Sequence, residues 1–299
     1  MLLVLTHNIL PVFAMLALGF AMGRVGAARQ DEARVLNRIA FLVLQPPLIF
    51  MLLSGLDLPA IRYEAIGIYA ATEIIAFLAA FSLARFFFKA ELAEAFLMAM
   101  CVVFVNSLLY IWPISTLIYG EEGARPISVI VALDASITFA FFIIGIEIIK
   151  GEQGMSATLP KLARNPVLLT MLVALGLNIA SIPIPEPVMT AARFAGAGAA
   201  PLTLFALGVV LSAAPLRPTL PVISFSAMKL LLFPILLWLG FQTVSPGNPW
   251  QAPFLLSAGG PSGAMAFALA LLHGVRTDRI APVIIWTSLL SLITLAWLA

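Results

Sequence analysis

CVVFVNSLLYIWPISTLIYGEEG, Cys101 to Gly123, is the stretch on which the reading of this chain turns. It is apolar enough to lie in a membrane, yet it carries Asn106, Ser107 and Tyr110 and then Pro113 near its centre. Proline lacks the backbone donor and crowds the preceding turn, so the pattern predicts a helix interrupted at Pro113. In hydrocarbon the freed backbone groups need partners, and such a break is tolerated only inside protein or along a cavity. A second stretch of this kind, PFLLSAGGPSGAMAFALALLHG, surrounds Pro261, 148 residues later. Two interrupted apolar segments in matching positions of two halves point to a membrane carrier's binding site.

Composition supports a membrane setting. Of 299 residues, 62% are hydrophobic and 10% charged, whereas soluble domains run at about half apolar and a quarter charged. Cys101 is the only cysteine, so no internal disulfide can form. The N-terminus, MLLVLTHNILPVF, lacks a basic leader and a small-residue cleavage site and reads as a first span. A span needs about 20 apolar residues. That length predicts ten spans, at 3–23, 36–54, 64–84, 94–119, 126–149, 166–182, 188–212, 219–243, 251–273 and 280–298. The fold class expected is an all-α polytopic membrane protein.

Charge in the connections predicts orientation. With the N-terminus outside, the inner connections hold Arg24, Arg29, Arg34, Arg38, Arg85, Lys89, Lys150, Lys161, Arg164, Arg217, Arg276 and Arg279. The outer ones hold only Arg62, Arg125 and Arg193. Twelve against three is a positive-inside bias that puts both termini outside. The expected setting is a cytoplasmic membrane.

An internal repeat is also legible. PVFAMLALGF from Pro11 answers PVLLTMLVALGL from Pro166, PLIFMLLSG from Pro47 answers PLTLFALGV from Pro201, and Pro113 answers Pro261. The offsets are 155, 154 and 148 residues. Five spans per repeat is an odd number, so the second repeat enters from the opposite side, as in several carriers. The expected organisation is a first repeat at 1–149, a cytoplasmic linker at 150–165 and a second, inverted repeat at 166–299.

Several residues are candidates for chemistry. Asn106 offers two donors and an acceptor, suited to a carboxylate or to holding the broken backbone; the plainer role is an interhelical hydrogen bond of about 0.6–2 kcal/mol. The half-helix ends at Pro113 and Pro261 would expose N–H donors and a positive dipole end to an anion. Gly260 and Gly263, with Gly259, permit close backbone approach to a ligand or to another helix. Ser107, Tyr110, Ser262 and Trp112 stand beside the breaks, and either lining a pocket or ordinary packing accounts for them. Asp134, in VALDASITF, is an intramembrane carboxylate and the first candidate for a proton-coupling site, with Glu73 the second. Lys229 would counter a substrate's charge or pair with an acid. Glu147 is expected to snorkel, and His7 and His273 to be interfacial.

Enzyme chemistry is poorly supported. Gly260-Pro261-Ser262-Gly263 matches the G-x-S-G pattern of intramembrane serine proteases, but a serine nucleophile needs a base in reach. His273 would stand about 16 Å further along a continuous helix. No HExxH and no phosphate-binding glycine loop occurs. No catalytic residue, metal, cofactor or nucleic-acid partner is expected.

Taken together, the chain resembles the auxin efflux carrier family, including its bacterial malonate-carrier-like members. The likeness rests on Leu36-Asn37-Arg38 opening a span that runs to Pro46-Pro47 and Phe50, and on Asn106, Pro113 and Gly120-Glu121-Glu122-Gly123. It rests also on Arg164-Asn165-Pro166, on Ala200-Pro201-Leu202 with Gly208, and on Trp286-Thr287-Ser288, Ser291 and Thr294. The resemblance implies ten helices in two inverted five-helix repeats, with helices 4 and 9 broken and crossing at mid-membrane. It implies secondary transport of small organic anions or weak carboxylic acids by alternating access, with spans 1, 2, 6 and 7 in the fixed bundle. It leaves proton coupling and oligomeric state open, family members often being homodimers. Sodium symporters of the bile-acid type share the architecture and form the alternative, although the second break here offers only Ser257 and Ser262 towards a sodium cage. Two departures stand out: Trp112 replaces a frequent glycine, and Met265 occupies a frequent asparagine. They imply a smaller or more apolar pocket, or a different substrate.

Overall fold

The computed structural model describes residues 2–150 and 165–299. Most of the expected linker at 150–165, with Lys161 and Arg164, lies outside them. Regular structure among the described residues is helical, apart from one isolated antiparallel bridge between Val105 and Ser262. The helices are α1 (Leu2–Arg24), α2 (Gln30–Ser54), α3 (Tyr63–Phe87), α4 (Leu92–Val103) and α5 (Ser107–Lys150). After the undescribed segment come α6 (Pro166–Ile179), α7 (Glu186–Ser212), α8 (Leu220–Val244), α9 (Gln251–Ala258), α10 (Met265–Leu272) and α11 (Ile280–Leu298). Seven of these, α1, α2, α3, α5, α7, α8 and α11, are long and apolar enough to cross a membrane. Helices α4 and α6 are shorter apolar helices.

Long α5 contains a kink. Gly120 has φ 72° and ψ 175°, a conformation open to glycine and hostile to a side chain. It falls in the GEEG run where the sequence predicts the end of one span and the start of the next.

Proline shapes the spans through wide turns rather than through breaks. Six π-helical turns occur among the described residues. Four of them, at Leu5–Ile9, Ala40–Leu44, Ser107–Ile111 and Met228–Leu232, end two residues before Pro11, Pro46, Pro113 and Pro234. A wider turn relieves the clash and the missing donor that proline imposes. The expected break at Pro113 is therefore displaced: the helix is interrupted at 104–106, and Pro113 lies within the continuous part of α5. Pro261, by contrast, sits inside the gap between α9 and α10.

Packing divides the helices into two groups. Helices α1, α2, α6 and α7 pack on one another: α1 along α7, and α6 and α7 against α2. In the other group α3 packs on α4 and α8, α5 on α4 and α9, α4 on α10, and α8 on α11. In the first group the backbones nearly touch. A Cβ on Gly19 would strike the Phe205 carbonyl, and one on Gly208 would strike the backbone of Leu16 and Phe20. Gly19 and Gly23 are spaced as in the small-residue dimer motif that lets membrane helices approach. The side-chain amide of Asn178 caps the end of α2 by donating to the carbonyls of Leu53, Ser54 and Leu56 at 3.0, 3.0 and 2.8 Å.

Candidate functional site

The two helix interruptions meet. Asn106 N–H donates to the Pro261 carbonyl at 3.1 Å, and Gly263 N–H donates to the Phe104 carbonyl at 2.8 Å. Each gap thus satisfies the other, as a buried backbone break must. The remaining ends are served locally. The Asn106 carbonyl accepts from Tyr110 and Ile111 N–H at 3.1 and 3.2 Å. The Ala258 carbonyl at the end of α9 accepts from the Lys229 ammonium at 2.7 Å, and the Gly259 carbonyl from the Thr294 hydroxyl at 2.7 Å. A cation there also complements the negative end of the helix dipole. Ser262 N–H donates to the Thr287 hydroxyl at 3.2 Å, and its own hydroxyl donates to the Cys101 carbonyl.

Beside this meeting point lies a cavity of about 380 Å³. Its polar lining is Asn37, Arg38, Gln45, Asn106, Ser107, Asp134 and Thr203, and the rest is mainly apolar, including Phe104, Phe139, Leu207 and Met265. The Asn106 amide makes no side-chain hydrogen bond among the described residues and does not cap its own helix, so it is free to meet a ligand. Ser107 is the first residue of α5, and the hydroxyl of this buried serine donates to Asp134 Oδ2 at 2.9 Å.

Of the residues singled out from the sequence, Asn106, Ser107, Gly263 and Asp134 line this cavity together. Tyr110, Pro113, Gly260, Pro261 and Ser262 are not in its lining. Tyr110 is fully buried, with its hydroxyl beside Ser291 of α11. Trp112 packs with Leu48, Leu52 and Ala199 between the two helix groups. Lys229 is fully buried, is spent on Ala258 and on the ring of Phe233 4.8 Å away, and is absent from the cavity wall. Ser262 faces a carbonyl and no histidine.

Behind the cavity Asp134 joins a buried polar group. It accepts from Tyr69 at 3.5 Å as well as from Ser107. Glu73 accepts from Thr138 at 3.1 Å and is buried with its other oxygen unpartnered. Asp134 opens a π-helical turn, Asp134–Thr138, a distortion frequent at functional sites.

Two expectations fail by burial. Glu147 and His273, read as snorkelling and interfacial, are 8% and 7% exposed and face each other at 4.0 Å. Four polar residues of the lining are not among the candidates for chemistry: Asn37 and Arg38 belong to the Leu36-Asn37-Arg38 motif, Arg38 also to the inner charges, and Gln45 and Thr203 to neither. Gln45 donates to Thr203 at 3.5 Å across α2 and α7, a pairing with no local signature.

A polytopic helical membrane protein with a cavity at the meeting of two helix breaks is built as a solute carrier is. The chain belongs to the family described as "Membrane transport protein", whose model matches residues 4–157 and 152–298; this is the auxin efflux carrier family that its motifs resemble. It is similar to a protein of Rhizobium meliloti (strain 1021) named "Putative malonate transporter", 25% identical over 98% of this chain and 94% of that protein. It is similar also to an "Uncharacterized transporter" of Methanothermobacter thermautotrophicus, 25% identical over 97% of this chain and 96% of that one. The protein is a membrane transporter and not an enzyme.

Proposed function

We propose that the protein carries small organic anions or weak carboxylic acids across the cytoplasmic membrane by alternating access. The observation that carries this reading is the uncommitted Asn106 amide at the start of a half-helix, opening on a cavity between the two helix groups. A carboxylate there would meet the amide and the positive end of α5. Exposed Arg38 at the rim would draw anions in. The chain would span ten times as two inverted repeats, a reading supported by the paired prolines and by the reciprocal bonds of the two breaks. The charge bias supports both termini outside and the Arg38 rim at the cytoplasmic face. Helices α1, α2, α6 and α7 would stay fixed while the other group moves.

Asp134 is the proton-coupling site in this reading. It lines the cavity, and through Ser107 it touches the first turn of the helix that holds the substrate. Protonation of Asp134 would weaken the charge-assisted bond from that hydroxyl and so sense, or be sensed by, the occupied site.

The test is uptake of labelled malonate, malate and an aromatic weak acid into proteoliposomes under imposed proton or sodium gradients. Saturable uptake driven by the proton gradient, lost in Asn106→Ala and uncoupled in Asp134→Asn, is expected. Sodium-driven uptake would replace the proton with the bile-acid-type mechanism, and uptake indifferent to Asn106→Ala would remove the site.

A further inference from the structure

A second cavity lies further along the helices that line the first. It holds about 550 Å³ and is lined by Leu56 and Asp57 just past the end of α2, by Tyr119 and Arg125 of α5, and by Trp250 at the start of α9. Asp57 and Arg125 are exposed, so this vestibule opens at the surface. It shares no lining residue with the Asn106 cavity. Between the two stands an apolar layer, half-buried Trp112 of α5 packed with Leu48 and Leu52 of α2 and Ala199 of α7. We propose that the vestibule is the far mouth of the route that passes Asn106, and that Trp112 is the side chain that closes it. The proposal rests on the carrier reading and names the residue that keeps the site from opening on both faces at once.

Helix register sets the three levels in one row. On α2, Gln45 and Ile49 line the Asn106 cavity and Leu52 lies in the layer, spaced by four and three residues on one face; Leu56 continues the row into the vestibule. On α5 the order repeats: Leu108 and Leu109 in the cavity, Trp112 in the layer, Tyr119 in the vestibule. Ile49 and Leu56 are seven residues apart, so about 10 Å of apolar packing divides the cavities. A charged solute pays heavily to enter such a layer, and an apolar constriction also sheds water. The vestibule's charges, Asp57, Glu122 and Arg125, are all exposed, and Arg125 pairs with Glu122 at 3.4 Å. Water screens them, so none bars an anion. The closure is built to part. Leu48, Leu52 and Ala199 belong to the group of α1, α2, α6 and α7, and Trp112 to the other group. Displacing one group along the other separates the indole from its seat and leaves both groups intact. The indole also supplies the bulk of the plug, since a tryptophan covers about 150–250 Å².

The experiment labels single cysteines in membrane vesicles of both orientations with a membrane-impermeant maleimide, after Cys101→Ser removes the one native thiol. Leu109→Cys reports the Asn106 cavity and Asp57→Cys the vestibule. With Trp112 in place we expect the two to react from opposite faces, each at least about tenfold faster from its own, because the packed layer holds no water to carry the reagent. Adding Trp112→Gly should speed labelling of Leu109→Cys from the vestibule face at least about tenfold and leave its rate from the cavity face unchanged. Trp112→Phe keeps an apolar ring in the layer and should keep the protection. A merely structural Trp112 would speed labelling from both faces together. Labelling of both cysteines from one face overturns the proposal, and this comparison needs no Trp112 variant to fold. So does a Trp112→Gly protein in which Leu109→Cys stays protected from the vestibule face while reacting normally from the other. The readout needs no substrate, so uptake of the acids decides the carrier reading separately, whichever way the labelling falls.

Discussion

The interruption at 104–106 and the one at 259–264 meet in the same bridge yet are held in different ways. The first spans three residues, contains no proline, and is closed by the backbone bridge on one side and the first turn of α5 on the other, with one side chain, the Ser262 hydroxyl, serving the Cys101 carbonyl at the end of α4. Its one amide side chain is left over. The second spans six residues, holds Pro261 and three glycines, and is closed by side chains from other helices. Lys229 of α8 and Thr287 and Thr294 of α11 serve its free groups, and Ser262 ties it back to α4. The difference separates two tasks that a repeat would otherwise share. One break keeps an uncommitted amide facing the cavity, and the other is committed to holding the pair together.

The sharpest way to break this comparison is to remove Lys229. Lys229→Met strips the cation from the end of α9 and from the face of the Phe233 ring. Deleting one partner of a buried hydrogen bond, so that the Ala258 carbonyl is left unsatisfied, costs about 1–3 kcal/mol. Thermal unfolding in detergent should show a loss on that scale. A shift under about 1 kcal/mol would mean that the second break does not depend on its borrowed cation.

Thr294→Val probes the same break more gently. It removes a single hydroxyl from the Gly259 carbonyl and keeps the shape. Hydrogen bonds between membrane helices are worth about 0.6 kcal/mol on average and up to about 1.7, so a loss in that range is expected. Paired with Lys229→Met, the double variant should be non-additive, since both groups close the same gap. Additivity would show two independent supports.

Much of this was legible in the chain. Apolar length and loop charge located most helices to within a few residues, because hydrocarbon thickness leaves few alternatives. The expected span at 64–84, for example, is Tyr63–Phe87. Asn106, Ser107 and Asp134 could be picked out because polar residues are rare in such segments. What could not be read is what depends on a neighbouring helix. Gln45 and Thr203 are 158 residues apart and meet only when α2 packs on α7. Lys229 could have faced a substrate or a helix end, and only the fold turns it to Ala258. Glu147 and His273 looked peripheral by position along their spans, but burial depends on what covers a span end. The Gly19–Gly23 spacing was present as a signal and carries the tightest helix contact.

Pro113 gives the most instructive failure and the smallest expected effect on stability. The sequence predicts it as the cause of the break, because proline cannot continue the hydrogen-bond ladder. Yet it is the seventh residue of α5, and the wide turn at Ser107–Ile111 absorbs its missing donor. The break is held by the bridge to Pro261 and Gly263, which Pro113 does not touch. Pro113→Ala should therefore change unfolding stability by less than about 1 kcal/mol, since helix interior propensity gains offset lost rigidity. Its consequence should appear in transport instead. With an N–H restored, the wide turn can tighten to ordinary α geometry, turning Asn106 by up to about 100° relative to the rest of α5. Uptake should fall while the fold persists, with KM rising more than the maximal rate drops. Destabilisation as large as that of Lys229→Met would return the break to the proline and erase the distinction between the two crossings.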